Sequence, residues 1–154
     1  MGQASCKFGT VFQASSRVGF WLVLRDEAGG FIAAKAGSFP GLEDPFIAEA
    51  LSCREALSWI KERDMHNVII ESYCLLVFLA LSREVSDCSY GGSIIKECKV
   101  LARDLVNCKF SFACRFANRV AQCLARGSDS LSEFRSWESV PPPSICNDLA
   151  LDLI

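Results

Sequence analysis

Hydrophobic and polar residues alternate with two different periods along this chain, and the periods predict strands followed by helices. Residues 6–13 alternate apolar and polar side chains, residues 19–24 are almost all apolar, and residues 31–37 form a third apolar stretch. Turn-forming segments separate these stretches, such as 26–30 with its two glycines. The three stretches therefore predict an antiparallel meander of three strands. Strict alternation returns at 108–115 and predicts a last half-buried strand.

The segment 44–73 predicts one long helix and one buried strand. Asp44 suits an N-cap and Pro45 the first helical position, and apolar residues then recur every three or four positions to about Arg63. Val68–Ile70 is a β-branched run typical of a strand buried on both faces. A helix that leads into a strand forms a crossover, so this strand can lie parallel to a meander strand in a mixed sheet. We expect four residues to be almost fully buried: Trp21, Leu57, Ile69 and Phe112.

Three further helices are expected. The stretch 74–81 is apolar on all sides, which predicts a short helix buried beneath other elements. Ser93 suits the N-cap of an amphipathic helix whose outer side carries Lys96, Lys99 and Arg103. Asn118 suits the N-cap of a final helix to about Arg126. The predicted fold is a mixed α/β domain over residues 1–127, with a five-stranded mixed sheet and helices on both faces, and with the polar, proline-rich tail 128–154 belonging to the same domain.

Composition narrows the possible partners. At 154 residues and 51% hydrophobic content, the chain is long enough for one domain with a substantial core. The net charge of −2 provides no general basic field, so a nucleic acid would need a local basic patch. No apolar run approaches the roughly 20 residues that span a bilayer, and the N-terminus lacks the apolar segment of a secretory signal. We therefore expect no membrane contact and an intracellular location, in cytoplasm or nucleus.

The cysteines and the single histidine do not form a recognisable catalytic or metal-binding motif. The nine cysteines are spread along the chain without a C-x-x-C pair, which favours reduced, buried thiols over a disulfide framework. His66 has no cysteine or carboxylate at ligand spacing, and its place between two apolar segments suits a turn. Neither a metal site nor a Ser–His or Cys–His nucleophile is expected from these residues.

Several short motifs occur in an order that resembles a known family. Gly19-Phe20, Val23–Asp26 and Gly29 match parts of the pattern aGxGxVxRDxxG, and residues 115–125 fit RxxNxxAxxLA. Between them lie Ala48-Glu49-Ala50 on the long helix and Ile70-Glu71-Ser72 at the strand end. Together with the predicted element order, these motifs resemble the plant ribonuclease H-like domains related to retrotransposon reverse transcriptases. The resemblance implies the ribonuclease H-like fold.

The resemblance also implies where a catalytic site would lie. Active members hydrolyse the RNA strand of an RNA–DNA hybrid with two divalent ions held by four acids. The aligned positions here are Gly9, Glu49, Tyr73 and Gln122, so only Glu49 is a carboxylate. Glu71 precedes Tyr73 by two residues and points to the same side of an extended strand, which makes it the candidate substitute. The resemblance thus implies a degenerate metal site with Glu49 as its remnant.

Three hypotheses follow for function. The first is a nucleic-acid-binding domain with little or no hydrolysis and no cofactor, which contacts an RNA–DNA hybrid or other nucleic acid weakly. Four residues are its candidate contacts: Lys109, Arg115, Asn118 and Arg119. The second is an active hybrid endoribonuclease that requires Mg²⁺ or Mn²⁺. The third is a transposon-derived scaffold that binds a protein.

Overall fold

A computed structural model describes residues 2–12, 17–40, 44–84, 87–113 and 135–141. These residues form six strands and three helices. In chain order they are β1 (Ala4–Phe12), β2 (Arg17–Arg25), β3 (Phe31–Pro40), α1 (Pro45–Glu62), β4 (Val68–Ser72), α2 (Leu75–Ser82), α3 (Tyr90–Asp104), β5 (Lys109–Phe112) and β6 (Arg135–Glu138). The mixed α/β fold class is confirmed.

The strands form one mixed sheet in the order β5-β4-β1-β2-β3-β6. The first three strands are the predicted antiparallel meander, and β4 lies parallel to β1, as the crossover through α1 requires. The sheet has six strands in place of the predicted five, because β6 pairs with residues 33–36 of β3. This strand lacks apolar alternation, so its sequence resembles a polar tail. An ion pair of 2.5 Å between Arg63 and Glu138 joins it to the end of α1.

The main core lies between the sheet and the three helices. Phe8, Leu22 and Ile70 point from the sheet toward α1 and are fully buried, as is Leu57 of α1. Trp21 points to the opposite face of the sheet and is also buried, at 4% exposure. The expectations for Leu57 and Trp21 are therefore confirmed.

Two of the four core predictions were wrong. Ile69 is only partly buried, because the alternation of β4 directs Val68 and Ile70 into the core and Ile69 to the other face. Phe112 is 44% exposed. It ends β5, a strand at the edge of the sheet, and its ring lies beside Phe78, with 6.1 Å between ring centroids.

The prediction that α2 is buried on all sides was also wrong. Only Val77 and Leu81 of its eight residues are buried, while Leu75 and Leu76 are exposed by 50% and 64%. An apolar composition on every side predicts full burial only if other elements cover every side. Among the described residues, α2 packs on α3, β5, α1 and β4 and leaves one apolar side open.

The N-cap of α3 lies four residues before the predicted Ser93. Ser89 is its N-cap, and the hydroxyl accepts a hydrogen bond of 3.1 Å from the Gly92 amide. The first turn therefore contains Gly91 and Gly92, which suggest a loop in the sequence. A Cβ on Gly91 would lie 2.8 Å from the ring of Phe46, so the glycine lets α3 approach α1 closely.

The predicted final helix from Asn118 lies outside the described residues. Within the described part of the chain, the helices are too short or too polar to cross a bilayer.

Candidate functional site

Glu49 is placed by α1 against the end of β1. The Asp44 side chain caps α1 by accepting hydrogen bonds from the amides of Phe46 and Ile47, at 2.9 and 3.4 Å. Glu49 follows one turn later and is only 7% exposed. Thr10 of β1 donates a hydrogen bond of 2.9 Å from Oγ1 to Glu49 Oε1. A carboxylate at this depth is costly without hydrogen bonds, so Thr10 helps to hold it in place.

Gly9 lies on the opposite face of the sheet from Thr10, as alternation along a strand requires. It pairs in register with Trp21 of β2. A Cβ built on Gly9 would lie 2.5 Å from Cζ2 and 2.9 Å from Cε2 of the Trp21 ring. The indole thus occupies the space into which any side chain at position 9 would extend.

Tyr73 reaches the same indole from the end of β4. Its ring centroid lies 5.9 Å from that of Trp21, with an angle of 45° between the ring planes, a favourable tilted arrangement. We call Gly9, Trp21 and Tyr73 the Trp21 cluster. Two of the four positions that the resemblance pairs with catalytic acids, 9 and 73, therefore lie against the Trp21 ring. Glu49 contacts β1 from the other face of the sheet, on the side of α1.

Glu71 is held away from Glu49. It pairs in register with Lys7, and the Lys7 Nζ lies 3.9 Å from Glu71 Oε2. Lys7 and Gly9 share the face of β1 opposite Thr10, so Glu71 and Glu49 lie on different faces of the sheet. Position 122, the fourth aligned residue, lies outside the described residues.

The described residues do not fit a pair of divalent ions. A two-metal site needs several oxygen ligands that converge on one point. Within residues 2–12, 17–40, 44–84, 87–113 and 135–141, there is no group of three or more His, Cys, Asp or Glu side chains placed to hold a metal. Glu49 is thus not part of such a group among the described residues.

The candidate nucleic-acid contacts are only partly described. Lys109 is exposed on β5. Arg115, Asn118 and Arg119 lie outside the described residues. The structure therefore shows a solvent-facing position for Lys109 and leaves the other three as predictions.

The buried thiols contribute to the core. The Cys98 thiol donates a hydrogen bond from Sγ to the Ala50 carbonyl oxygen at 3.6 Å. The pKa of Cys53 is raised mainly by a hydrogen bond with Cys98 and secondly by burial. Burial also raises the pKa of Cys6, and it raises the pKa of Cys108 to about 11. Neutral thiols are poor nucleophiles at physiological pH, which fits a packing role.

Sequence reasoning missed a groove between α2 and α3. Its floor is apolar, and its rim carries Arg83, Lys96 and Lys99. Two signals in the sequence pointed to it: the apolar residues on every side of α2, and the basic residues on the outer side of α3.

A known protein family and several solved structures match most of the chain. The profile of a family described as reverse transcriptase-like matches residues 8–128. Comparison with curated proteins gave no significant match. Among solved structures, the N-terminal RNase H domain of rv2228c from Mycobacterium tuberculosis matches with a TM-score of 0.72 at 13% identity, over 84% of this chain and 94% of that domain.

Two further structures agree with this result. RNase H1 from the halophilic archaeon Halobacterium salinarum gives a TM-score of 0.66 at 18% identity, over 82% of this chain and 97% of the other. LC11-RNase H1, solved in complex with an RNA/DNA hybrid, gives 0.70 at 16% identity, over 82% and 96%. At these identities the matches establish the fold, which is RNase H-like.

Proposed function

The chain belongs to the reverse transcriptase-like family, and from that membership we propose that it is an RNase H-like domain that binds nucleic acid with little or no hydrolysis. The fold resembles that of RNA–DNA hybrid ribonucleases. In this proposal the metal site is degenerate, and Glu49 is its remnant. The domain extends over residues 1–127, with 128–154 as part of the same unit.

The observation that carries the proposal is the contact between Gly9 and Trp21. Hydrolysis through two divalent ions depends on carboxylates that bridge the ions and offset their charge. A Cβ at position 9 would lie 2.5 Å from the Trp21 ring, so an acid here would displace the indole. The indole is itself packed against Tyr73, at the second position that lacks an acid. Packing as well as composition thus opposes a metal ligand on this side of the sheet.

Glu49 has a structural role in this proposal. Its hydrogen bond to Thr10 joins α1 to β1, and its burial separates it from bulk water. A single carboxylate balances one positive charge, whereas two divalent ions bring four. Glu49 alone therefore cannot retain both ions.

Binding would rest on a few basic side chains. Lys109 is exposed, and Arg115, Asn118 and Arg119 are its proposed companions. Because the chain carries a net charge of −2, binding through these groups should be weak and should fall as salt concentration rises. The same proposal includes a relation to plant retrotransposons, which the resemblance implies. It also includes a cytoplasmic or nuclear location, which the composition favours.

A cleavage assay on a labelled RNA–DNA hybrid tests the proposal. The purified chain is incubated with Mg²⁺ or Mn²⁺, beside a Glu49→Gln variant and a known hybrid ribonuclease. We expect the wild-type chain and Glu49→Gln to give the same background. Cleavage by the wild type that disappears in Glu49→Gln would refute the proposal and favour an active metal-dependent endoribonuclease.

A further inference from the structure

Helix α2 presents an unusual apolar surface to solvent. Leu76 is 64% exposed and its neighbour Leu75 is 50% exposed, although most of the other leucines among the described residues are buried. Single exposed leucines are common, but adjacent ones beside an apolar cavity are typical of interaction sites. The sequence of α2, LLVFLALS, has no charged residue to cover this side.

A cavity of about 230 Å³ lies beside Leu76, between α2 and α3. Its apolar lining includes Phe46, Leu76, Leu79, Ala80 and Ile95. Pockets for complete small-molecule ligands usually measure about 300–1,000 Å³. This smaller volume suits one or two apolar side chains inserted from another molecule. We call the cavity and its rim the α2–α3 groove.

The rim of the α2–α3 groove is basic. Lys96, Lys99 and Arg103 follow one another along α3 at spacings of three and four residues, which places them on one side of the helix. Arg83 faces them from the end of α2, and the Lys99 ammonium contacts the Arg83 carbonyl. A wider cleft continues the groove past Arg103 and shares Arg83, Lys96 and Lys99 with it.

The acids of α3 do not neutralise this rim. Glu97 is bound by Arg54 at 2.8 Å and Asp104 by Lys61 at 2.9 Å, and both partners belong to α1. Among the described residues, the acids that line the groove and its continuation are Asp87 and Glu84. Asp87 accepts a hydrogen bond from the Ser89 amide at 2.9 Å. In the described part of the rim, four basic side chains thus lie beside two acidic ones, which makes it positive on an acidic chain.

From the apolar floor and the positive rim, we propose that the α2–α3 groove binds an acidic amphipathic segment of a partner protein. The partner would insert apolar side chains beside Leu76 and place Asp or Glu against the basic rim, the pattern of a helix docked in a groove. A nucleic-acid backbone would match the rim but would leave the exposed leucines without a complementary surface. The proposal does not depend on whether the domain binds or cleaves a hybrid.

A peptide-display selection tests the proposal. The library carries random peptides of about 16 residues, which as a helix match the length of α3. The wild-type chain, Leu76→Ser, and a variant with both Lys96→Glu and Arg103→Glu are used as baits. Val100→Ser is the matched control, because Val100 is 54% exposed on α3 and does not line the groove. Thermal melts confirm that each bait is folded.

We expect the wild type and Val100→Ser to enrich peptides with apolar residues at helical spacing and acidic residues between them. Leu76→Ser and the charge-reversed variant should each bind the selected peptides about 30-fold more weakly, the loss expected when an anchoring contact is removed. The proposal is overturned if the enriched peptides bind all four baits equally. It is also overturned if no acidic peptide is enriched.

Discussion

The Trp21 cluster and the α2–α3 groove belong to the same protein, but side chains fill the space in the first and leave a cavity in the second. In the Trp21 cluster, the indole occupies the space beside Gly9, and Tyr73 packs on the indole. In the α2–α3 groove, a cavity of about 230 Å³ is open beside exposed leucines and basic side chains. In our proposals, packing closes the place where metal chemistry would lie, and the open groove among the helices is the binding surface.

This contrast teaches that similarity of fold and similarity of site are separate matters. The sheet order and the helix packing resemble RNase H domains over most of the chain. The side chains at the aligned positions do not reproduce a cluster of acids in the described residues. The function of this protein therefore depends on the residues that line each site and not on the fold alone.

The largest expected effect compares a leucine of the closed core with one of the open groove. Leu57→Ala should lower the free energy of unfolding by about 2–5 kcal/mol, because Leu57 is fully buried against the sheet. Leu76→Ala should change it by less than about 0.5 kcal/mol, because Leu76 is 64% exposed. Urea unfolding of both variants measures the difference, and equal costs would show that the groove is not open.

The next effect tests whether the Trp21 cluster is closed. Gly9→Ala should lower the free energy of unfolding by about 1–3 kcal/mol, because the added methyl group would lie 2.5 Å from the indole. The same change in a Trp21→Phe background should cost less, since the smaller ring leaves room. A double-mutant cycle by urea unfolding gives the coupling between the two sites. If the losses of unfolding free energy in the two single variants simply add up in the double variant, the contact between Gly9 and Trp21 is contradicted.

A smaller effect concerns pH at the boundary between core and groove. Cys108 lines the wider cleft, and burial raises its pKa from 9.0 to about 11 in the folded protein. Between these values the thiol is neutral in the folded protein but ionised in the unfolded chain. Ionisation therefore favours the unfolded chain, and the contribution of Cys108 to stability is lost as pH rises from about 9 to 11.

Urea unfolding between pH 8 and 11 measures this loss. Because Cys108 is only partly buried, screening should keep its share below about 1 kcal/mol per pH unit. Cys108→Ala should retain more of its stability at high pH than the wild type. Parallel pH profiles for the two proteins would mean that Cys108 is not shielded from water.

The smallest expected effect concerns binding to nucleic acid. Lys109→Ala should weaken binding to an RNA–DNA hybrid at low salt and reduce the slope of log affinity against log salt by about 1. Lys61→Ala is the control, because Lys61 is already paired with Asp104 at 2.9 Å. Fluorescence anisotropy across a salt series measures both slopes. An unchanged slope in Lys109→Ala would remove Lys109 from the proposed contact surface.

The sequence predicted most of the fold because the periods of its apolar residues are clear. The meander and the capped helix α1 follow directly from alternation and from the Asp44-Pro45 start. Strand β6 was missed because pairing with β3, and not a hydrophobic pattern, defines it. The exposed side of α2 was missed because an apolar sequence does not reveal which of its sides find a partner.

The sequence predicted which residues belong to the candidate site, but it did not predict how they are arranged. The motifs point to Glu49, and the structure places it in a buried contact with Thr10. No pattern in the sequence shows that Trp21 fills the space beside Gly9, since that contact joins two strands across the sheet. The face on which Glu71 lies likewise depends on its pairing with Lys7.

Isothermal titration calorimetry with Mg²⁺ tests the central claim most directly, because it asks whether a metal site exists apart from any activity. The wild-type chain and Glu49→Gln should both show no binding at physiological Mg²⁺ concentration, since Glu49 belongs to no group of three or more possible ligands among the described residues. Stoichiometric binding of Mg²⁺ to the wild type that is lost in Glu49→Gln would contradict the claim and would mean that other acids complete the site around Glu49.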